Sequence, residues 1–104
     1  MSTAGQSYLL PPDVQLNLYR IAQESLNNIM KHAQANMVNL TLIFTEGGVR
    51  LEAIDDGKGF DVQTISADKL GIRIMHERAK KADIELHVSS QIHEGTRILA
   101  RWQQ

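Results

Sequence analysis

The segment from Arg20 to Ala33 constrains the fold of this chain more than any other. It reads RIAQESLNNIMKHA, and at 3.6 residues per turn it places Glu24, Asn28 and Lys31 on neighbouring points of one helix face. Asparagine is a poor helix former, so two adjacent asparagines inside a helix suggest that something outside the helix uses them. For the helix alone, a polar face that simply meets water is the alternative. The buried face is predicted from apolar residues at helical spacing: Leu18, Ala22, Leu26, Ile29 and Ala33.

Size and composition exclude several classes of protein. A chain of 104 residues with 42% apolar residues is sufficient for one domain with its own core. The absence of cysteine excludes disulfides, thiolate metal sites and a thiol nucleophile, and it fits a reducing compartment. A formal charge of −1 gives no general attraction to nucleic acid or to acidic membranes. No apolar run is long enough to span a bilayer, so we expect a cytoplasmic domain without direct membrane contact.

The chain divides into a short polar terminus and one domain. We expect residues 1–8 to be a flexible N-terminus or a cloning remnant, and residues 9–104 to form the domain. Pro12 and Asp13 are typical of a helix start, and the helix is predicted to run to about Gln34. A second helix is predicted from Gly71, with Ile72, Met75, Ala79 and Ala82 buried. Alternation with period two predicts strands over 37–45, 49–54, 84–88 and 96–102.

The order of these elements is helix, hairpin, loop, helix, hairpin. It predicts an α+β fold, a two-layer α/β sandwich in which the helices cover one face of a mixed, largely antiparallel sheet. Residues 61–70 show no sustained period and form a predicted loop, long enough to suggest a lid or a binding loop.

An aspartate and two glycines follow the second predicted strand as Asp55-x-Gly57-x-Gly59. An aspartate at a strand end can accept a hydrogen bond from an exocyclic amine, and the glycines let a ligand approach the backbone closely. Asp-Asp-Gly is also ordinary turn chemistry, which is the alternative for this motif in isolation.

Two further glycines stand at the starts of predicted elements. Gly71 opens the second helix, where free N–H groups provide an anion site, although the glycine could simply permit the turn into the helix. Gly95 precedes Thr96 at the start of the last strand, where the alternative is a hairpin glycine followed by a good strand former.

The four signals in this order resemble the ATP-binding domain of sensor histidine kinases. The matching motifs are QExLxNxxKHA, DxGxG, a glycine that opens a helix, and GT before the final strand. That domain belongs to the GHKL superfamily, which includes gyrase, the Hsp90 chaperone and the mismatch-repair ATPase. The segments LYRIAQESLNNIMKHA, DDGKGF, GIRIMHERA and EGTR are most similar to the nitrate/nitrite-sensor-like subfamily. The resemblance covers about Leu9 to Trp102 and implies the Bergerat ATP-binding fold.

The resemblance implies roles for the polar side chains of the first helix. Glu24 would be the catalytic residue near the γ-phosphate, where it polarises the attacking group or a water. Asn28 would ligate Mg²⁺ through its side-chain oxygen, as hard cations prefer. Lys31 and His32 would contact the phosphates. ATP and Mg²⁺ are therefore the expected cofactors.

The remaining positions of the resemblance concern the base and the lid. Asp55 would accept a hydrogen bond from the adenine N6 amine, in the motif that includes Gly57, while Gly59 would close over the base. The segment from Phe60 to Leu70 would be the ATP lid, and Gly71 would lie at the phosphates. Thr96 would reach the adenine, directly or through water.

The sequence departs from the family pattern in two places. The glycine-rich hinge of the lid is reduced to Gly71, with Ile74 where many relatives have a second glycine. Lys81-Ala82-Asp83-Ile84 replaces a turn that commonly contains glycine. Both departures concern lid mobility or loop geometry more than ligand chemistry.

The implied function is that of a protein-histidine kinase catalytic domain, which binds ATP or ADP and donates the γ-phosphate to a histidine. No segment resembles the dimerisation helices that carry that histidine, so the acceptor is expected elsewhere in a longer, membrane-bound parent. A response regulator would be the partner of the full-length kinase. The alternatives are a nucleotide-binding regulatory module without catalysis, a protein-serine kinase of the anti-sigma-factor type, and a small interaction domain without a ligand.

Overall fold

Two helices and five strands are formed by the residues that this computed structural model describes, which are 2–5, 8–32, 37–57, 69–91 and 95–104. The apolar residues of the helices recur at helical spacing, and burial in the central strands β3 and β5 alternates with period two. Their order is β1 (Ser2–Ala4), α1 (Pro12–His32), β2 (Val38–Thr45), β3 (Gly48–Asp55), α2 (Lys69–Lys81), β4 (Glu85–Gln91) and β5 (Gly95–Gln103).

The strands form one sheet in the order β1-β2-β3-β5-β4. β1 pairs parallel with β2, and the other three pairings are antiparallel. α1 packs against β3 and β5, α2 packs against β4, and the two helices pack against each other. The predicted fold class, helices on one face of a mixed and largely antiparallel sheet, is confirmed.

β1 is a strand that the sequence analysis did not predict. Ser2–Ala4 pairs with residues 41–43 of β2. Its three small residues carry no alternation that would have revealed a strand, and backbone pairing alone defines it. The chain is then fixed by Tyr8, whose hydroxyl hydrogen is shared between the carbonyl oxygens of Thr45, at 3.0 Å, and of Gly48. The Tyr8 ring meets Phe44 edge to face at 5.3 Å between ring centroids.

The core lies between the helices and the inner face of the sheet. In the central strands every second residue is buried, as predicted, because side chains alternate between the two faces. The predicted buried stripe of α2 is also confirmed, with Met75 fully buried and Ile72 partly buried. The fully assembled apolar core comprises Val14, Leu18, Ile21, Val49, Leu51, Ala53, Met75, Ala79, Ala82, Ile84, Ile98 and Ala100.

The buried face of α1 differs from the prediction. Ser25 is fully buried, whereas Leu26 is 36% exposed. The Ser25 hydroxyl donates to the Ile21 carbonyl at 2.7 Å and lies 3.4 Å from Met75 Sδ. A small residue at this position lets α1 and α2 approach closely, and a pattern built on apolar residues alone cannot show this. Ala22 is partly buried as predicted, while the side chains of Ile29 and Ala33 lie outside the described residues.

The end of α2 explains how the chain makes its turn without the usual glycine. The Ile84 N–H donates to the Ala79 carbonyl at 2.8 Å, and the Asp83 N–H donates to the Lys80 carbonyl at 3.5 Å. This is the Schellman arrangement, in which the residue after the helix adopts a left-handed conformation. Asp83 does so with φ of 54°. Aspartate tolerates this region better than most residues but less well than glycine.

The outer face of the sheet carries a group of exposed ionic side chains. Arg101 contacts the Glu85 carboxylate through Nε at 3.2 Å and Nη2 at 2.5 Å, and His87 lies 3.2 Å from the same group. The hydrogen bonds from Arg101, and then that from His87, hold the pKa of Glu85 below its ordinary value of 4.5. Because the charged form is favoured in the folded state, this contribution is present at neutral pH and is lost as pH falls through the folded-state pKa.

We expect Asp83→Gly to stabilise the domain by about 0.5–1 kcal/mol, because glycine adopts positive φ without the contact that Cβ makes. Thermal and urea unfolding would measure the change. Lys80→Gly, inside the helix, is the control and should destabilise by about 1 kcal/mol. A destabilised Asp83→Gly variant would show that the aspartate side chain contributes more than its backbone conformation costs.

We expect Arg101→Gln to return the pKa of Glu85 towards its ordinary value, because the largest cause of the lowering is removed. Carboxyl chemical shifts followed by NMR titration would measure it, with His87→Gln as a matched variant that should produce a smaller change. The stability difference between Arg101→Gln and the unsubstituted chain should also shrink as pH falls from 4.5 through the lowered pKa of Glu85, below which Glu85 is protonated in both. An unchanged Glu85 titration in Arg101→Gln would contradict the assigned cause.

Candidate functional site

The inner face of the sheet ends in a row of polar residues. Successive rows across β3, β5 and β4 are apolar, as in the row of Ala53, Ile98 and Val88. The last row instead contains Asp55, Thr96 and Ser90, and the register places these three side by side. Asp55 and Thr96 are 4% and 6% exposed, so these two side chains are sequestered from solvent. Buried polar groups at the end of an apolar face are typical of a ligand site.

The two carboxylate oxygens of Asp55 have different surroundings. Oδ1 accepts a hydrogen bond from the Gly57 N–H at 2.8 Å. Oδ2 is buried and has no hydrogen-bond partner among the described residues. A buried acceptor without a partner costs about 1–3 kcal/mol, and a ligand N–H would remove that cost. The Asp55–Gly57 turn and a ligand contact are therefore compatible, because each uses its own oxygen.

Gly95 holds β5 close to β3 at this row. Its φ is +84°, and a Cβ atom added there would lie 2.3 Å from the Asp55 carbonyl oxygen. No side chain fits at that distance, so glycine is required here by backbone conformation and by space. The interpretation of Gly95 as a hairpin glycine is thus incomplete, because the residue also sets the approach of Thr96 to Asp55.

Ser90 belongs to the row, although the sequence analysis did not select it. It is half-buried, its hydroxyl donates to the Gly95 carbonyl at 3.0 Å, and its Oγ lies 2.9 Å from Thr96 Oγ1. The signal was present in the sequence, since the alternation of Ile84, Leu86 and Val88 places position 90 on the same face.

Asp56 is a second residue that the sequence analysis did not select. Its Oδ1 accepts a hydrogen bond from the Met37 N–H at 2.9 Å, and its own N–H donates to the Met37 carbonyl at 3.3 Å. Met37 stands at the start of β2 on the chain that leaves α1. Asp56 therefore connects the turn after Asp55 with the segment that follows the helix of Glu24. No local pattern indicates this contact, because the two residues are 19 positions apart.

The predicted polar residues of α1 lie on the helix, and for most of them the structure describes the backbone alone. Glu24 lies on α1 with a half-buried side chain. Asn28, Lys31 and His32 occupy the last turns of the same helix, and their side chains lie outside the described residues. Because α1 packs on β3 and β5, the helix face and the polar row belong to the same side of the sheet.

The structure describes some of the predicted site glycines and only the last two residues of the predicted lid. Gly57 follows β3 and is half-buried, whereas Gly59 lies outside the described residues. Gly71 is the third residue of α2, which begins at Lys69, so the predicted helix start is corrected by two residues. Lys69 and Leu70 form helix in place of the predicted end of the lid, and the rest of Phe60 to Leu70 lies outside the described residues.

A recess of about 250 Å³ opens at the polar end of the sheet. This volume is below the range of roughly 300–1,000 Å³ for whole small-molecule sites. Within the described residues no group of three or more His, Asp or Glu side chains gathers as a metal site. The recess is lined by Ile54, Asp55, Ser89, Ser90, Gly95, Thr96 and Arg97.

Comparison with protein families assigns the chain to a class. Residues 13–104 match the model of the histidine kinase-, DNA gyrase B- and HSP90-like ATPases, and the chain belongs to this family. The predicted membership of the ATPase superfamily that includes histidine kinases, gyrase and the Hsp90 chaperone is confirmed. Within the described residues, neither helix is long and apolar enough to cross a membrane.

The chain is similar in sequence to part of several sensor proteins. It is 34% identical over 93 residues to the sensor histidine kinase LiaS of Bacillus subtilis, which covers 89% of this chain and 26% of LiaS. It is 32% identical over 93 residues to the sensor protein VraS of Staphylococcus epidermidis, which covers 89% of this chain and 27% of VraS. The chain thus spans about a quarter of the length of these relatives.

Solved structures support the fold. The histidine kinase domain of the blue-light-activated kinase from Erythrobacter litoralis EL346 superposes with a TM-score of 0.78 at 21% identity, over 96% of this chain and 52% of that one. The histidine kinase AdeS of Acinetobacter baumannii superposes with a TM-score of 0.77 at 11% identity, over 99% of this chain and 52% of that one. At these identities the likeness concerns the fold.

Proposed function

We propose that this chain is the Mg-ATP-binding catalytic domain of a two-component sensor histidine kinase. The observation that carries the proposal is the Asp55 carboxylate, which is buried at a strand end with one oxygen committed to Gly57 and the other without a partner among the described residues. Family membership supports ATP as the ligand.

The base end of the site follows from the polar row. Oδ2 of Asp55 accepts a hydrogen bond from the N6 amine of adenine, which removes the cost of the unpartnered oxygen. Gly57 keeps the turn open to the ligand, Gly59 closes over the base, and Thr96 approaches the base from β5. The recess beside these residues has room for one end of the nucleotide.

The phosphate end belongs to α1 and to the start of α2. Lys31, His32 and the turn at Gly71 bind the phosphates. Asn28 would hold Mg²⁺, and the ion would supply neutralisation of phosphate charge there. Glu24 polarises the acceptor. Its half-buried position on α1 supports this role, because a carboxylate withdrawn from water interacts more strongly with a reacting group.

The acceptor is a histidine on a dimerisation domain of a longer kinase. The P–O bond between the γ-phosphorus and ADP breaks, a P–N bond forms with the imidazole, and Glu24 accepts the imidazole proton. A response regulator is then the partner of the full-length kinase, on the cytoplasmic side of a membrane. The similarity to LiaS, which is named a sensor histidine kinase, favours a histidine acceptor over a serine acceptor. Within these kinases we assign the chain to the nitrate/nitrite-sensor-like branch on the segments LYRIAQESLNNIMKHA and GIRIMHERA.

We expect Asp55→Asn to weaken nucleotide binding by about 10- to 100-fold, because an amide N–H can face the adenine amine and a charged acceptor is lost. Calorimetric titration with Mg-ADP and with a non-hydrolysable ATP analogue measures it. Glu52→Gln is the matched control, since it removes a carboxylate from the other face of the same strand. Equal affinities for Asp55→Asn and the unsubstituted chain would remove Asp55 from the site. No binding by a folded unsubstituted chain up to millimolar nucleotide would overturn the nucleotide site.

We expect Glu24→Gln to bind Mg-ADP with nearly unchanged affinity and to lower phosphoryl transfer by about 10²- to 10⁴-fold, the range of a lost general base. The measurement is single-turnover labelling of the acceptor histidine in a longer protein that includes the dimerisation helices. Transfer at the rate of the unsubstituted protein would show that Glu24 is not the catalytic residue.

A further inference from the structure

The hydroxyl groups of Ser90 and Thr96 form a short chain that ends on backbone. The Gly95 carbonyl can only accept, so in their 3.0 Å contact the Ser90 hydroxyl is the donor. A serine hydroxyl carries one hydrogen. In the 2.9 Å contact between the two side chains, Thr96 is therefore the donor and Ser90 the acceptor. The direction of the chain is Thr96 to Ser90 to Gly95.

This direction fixes what Thr96 can offer to a ligand. Its hydrogen is engaged with Ser90, so Oγ1 presents only lone pairs. Thr96 stands next to Asp55 in the register, and Asp55 Oδ2 is also an acceptor. Both groups are buried, so each would face a mismatched ligand without water to compensate. Within the part of the chain that the structure describes, Asp55 and Thr96 thus present two acceptors side by side.

We propose that Ser90 is a positioning residue for base selectivity, which holds the Thr96 hydroxyl as an acceptor so that the site favours an amino group over a carbonyl at the purine 6-position. The proposal rests on the proposed function, since it requires a purine nucleotide at Asp55. Ser90 acts through Thr96 and need not touch the base.

The rigid support for this arrangement comes from Gly95. Its carbonyl is held by the antiparallel pairing of β5, and its own approach to Asp55 leaves no space for a side chain. The terminal acceptor of the hydroxyl chain is therefore fixed in position. Without the Ser90 hydroxyl, Thr96 has a rotatable hydrogen that can point at the ligand, and it can then donate to a carbonyl oxygen.

The test is the ratio of the affinities for ADP and inosine diphosphate, measured by calorimetry on the full chain with Mg²⁺. Inosine diphosphate differs from ADP by a carbonyl at position 6 in place of the amine, with a proton on N1. In Ser90→Ala we expect the preference for ADP to fall roughly fivefold, the equivalent of one neutral hydrogen bond gained by the carbonyl. Ser90→Thr keeps a hydroxyl at this position and should keep the ratio of the unsubstituted chain.

Two controls separate this role from general loss of structure. Thr45→Val removes a hydroxyl that donates to the Gly48 carbonyl at the other end of the sheet, and it should leave the ratio unchanged. In a Thr96→Val background, Ser90→Ala should alter the ratio no further, because the group through which it acts is gone. Both comparisons remain valid if Ser90→Ala also lowers the unfolding temperature, since a ratio cancels a uniform loss of binding-competent protein.

The outcomes distinguish this inference from the proposed function. ADP binding by the unsubstituted chain, with an unchanged ratio in Ser90→Ala, would overturn the role of Ser90 and leave the nucleotide site intact. The same change in Thr45→Val, or a further change in the Thr96→Val background, would also overturn it. Failure of the folded unsubstituted chain to bind ADP would overturn the proposed function, and this inference with it.

Discussion

The pairing of β3 with β5 is the interaction on which the rest of the structure depends. It joins the two central strands over eight residue pairs, from Gly48 with Gln103 to Asp55 with Thr96. Its inner face provides much of the core under both helices, and its last pair forms the polar row. Gly95 makes the final step possible, because any side chain there would push the strands apart at the Asp55 carbonyl. The pairing of β3 with β5 therefore supports both the apolar core and the polar site.

The architecture was predictable because burial in the two central strands, β3 and β5, alternates with period two. When a strand buries one face and exposes the other, the alternation of apolar and polar residues shows which side chains face the core. A shift of the pairing register by one residue would move every apolar side chain to the solvent-exposed face. β1 was not predictable, because three small residues carry no such record and are held by backbone hydrogen bonds. The buried face of α1 was predicted only in part, because Ser25 is buried for its small size and not for its polarity.

Some residues of the site could be selected from local sequence patterns, whereas others depend on contacts between distant parts of the chain. Asp55 and Gly57 were selected because they form an Asp-x-Gly motif at the end of a predicted strand, and Thr96 because it follows Gly95 at the start of another. Ser90 continues the alternation of Ile84, Leu86 and Val88. It was missed because the predicted strand was ended at Val88, one alternation too early. Asp56 is different in kind. Its contact with Met37 depends on how the end of one hairpin strand meets the chain leaving α1, and no periodicity encodes such a meeting.

The divided surroundings of the Asp55 carboxylate bear on the entropy of binding. An aspartate that is free to rotate would lose conformational entropy when a ligand orders it, and that loss would weaken the complex. Here the Gly57 N–H already holds one oxygen, and neighbouring atoms bury the group. The Asp55 side chain therefore loses its conformational entropy when the turn folds, before any ligand binds. What remains for association is an acceptor that is preorganised in direction, so that a ligand forms its hydrogen bond without first having to order its partner.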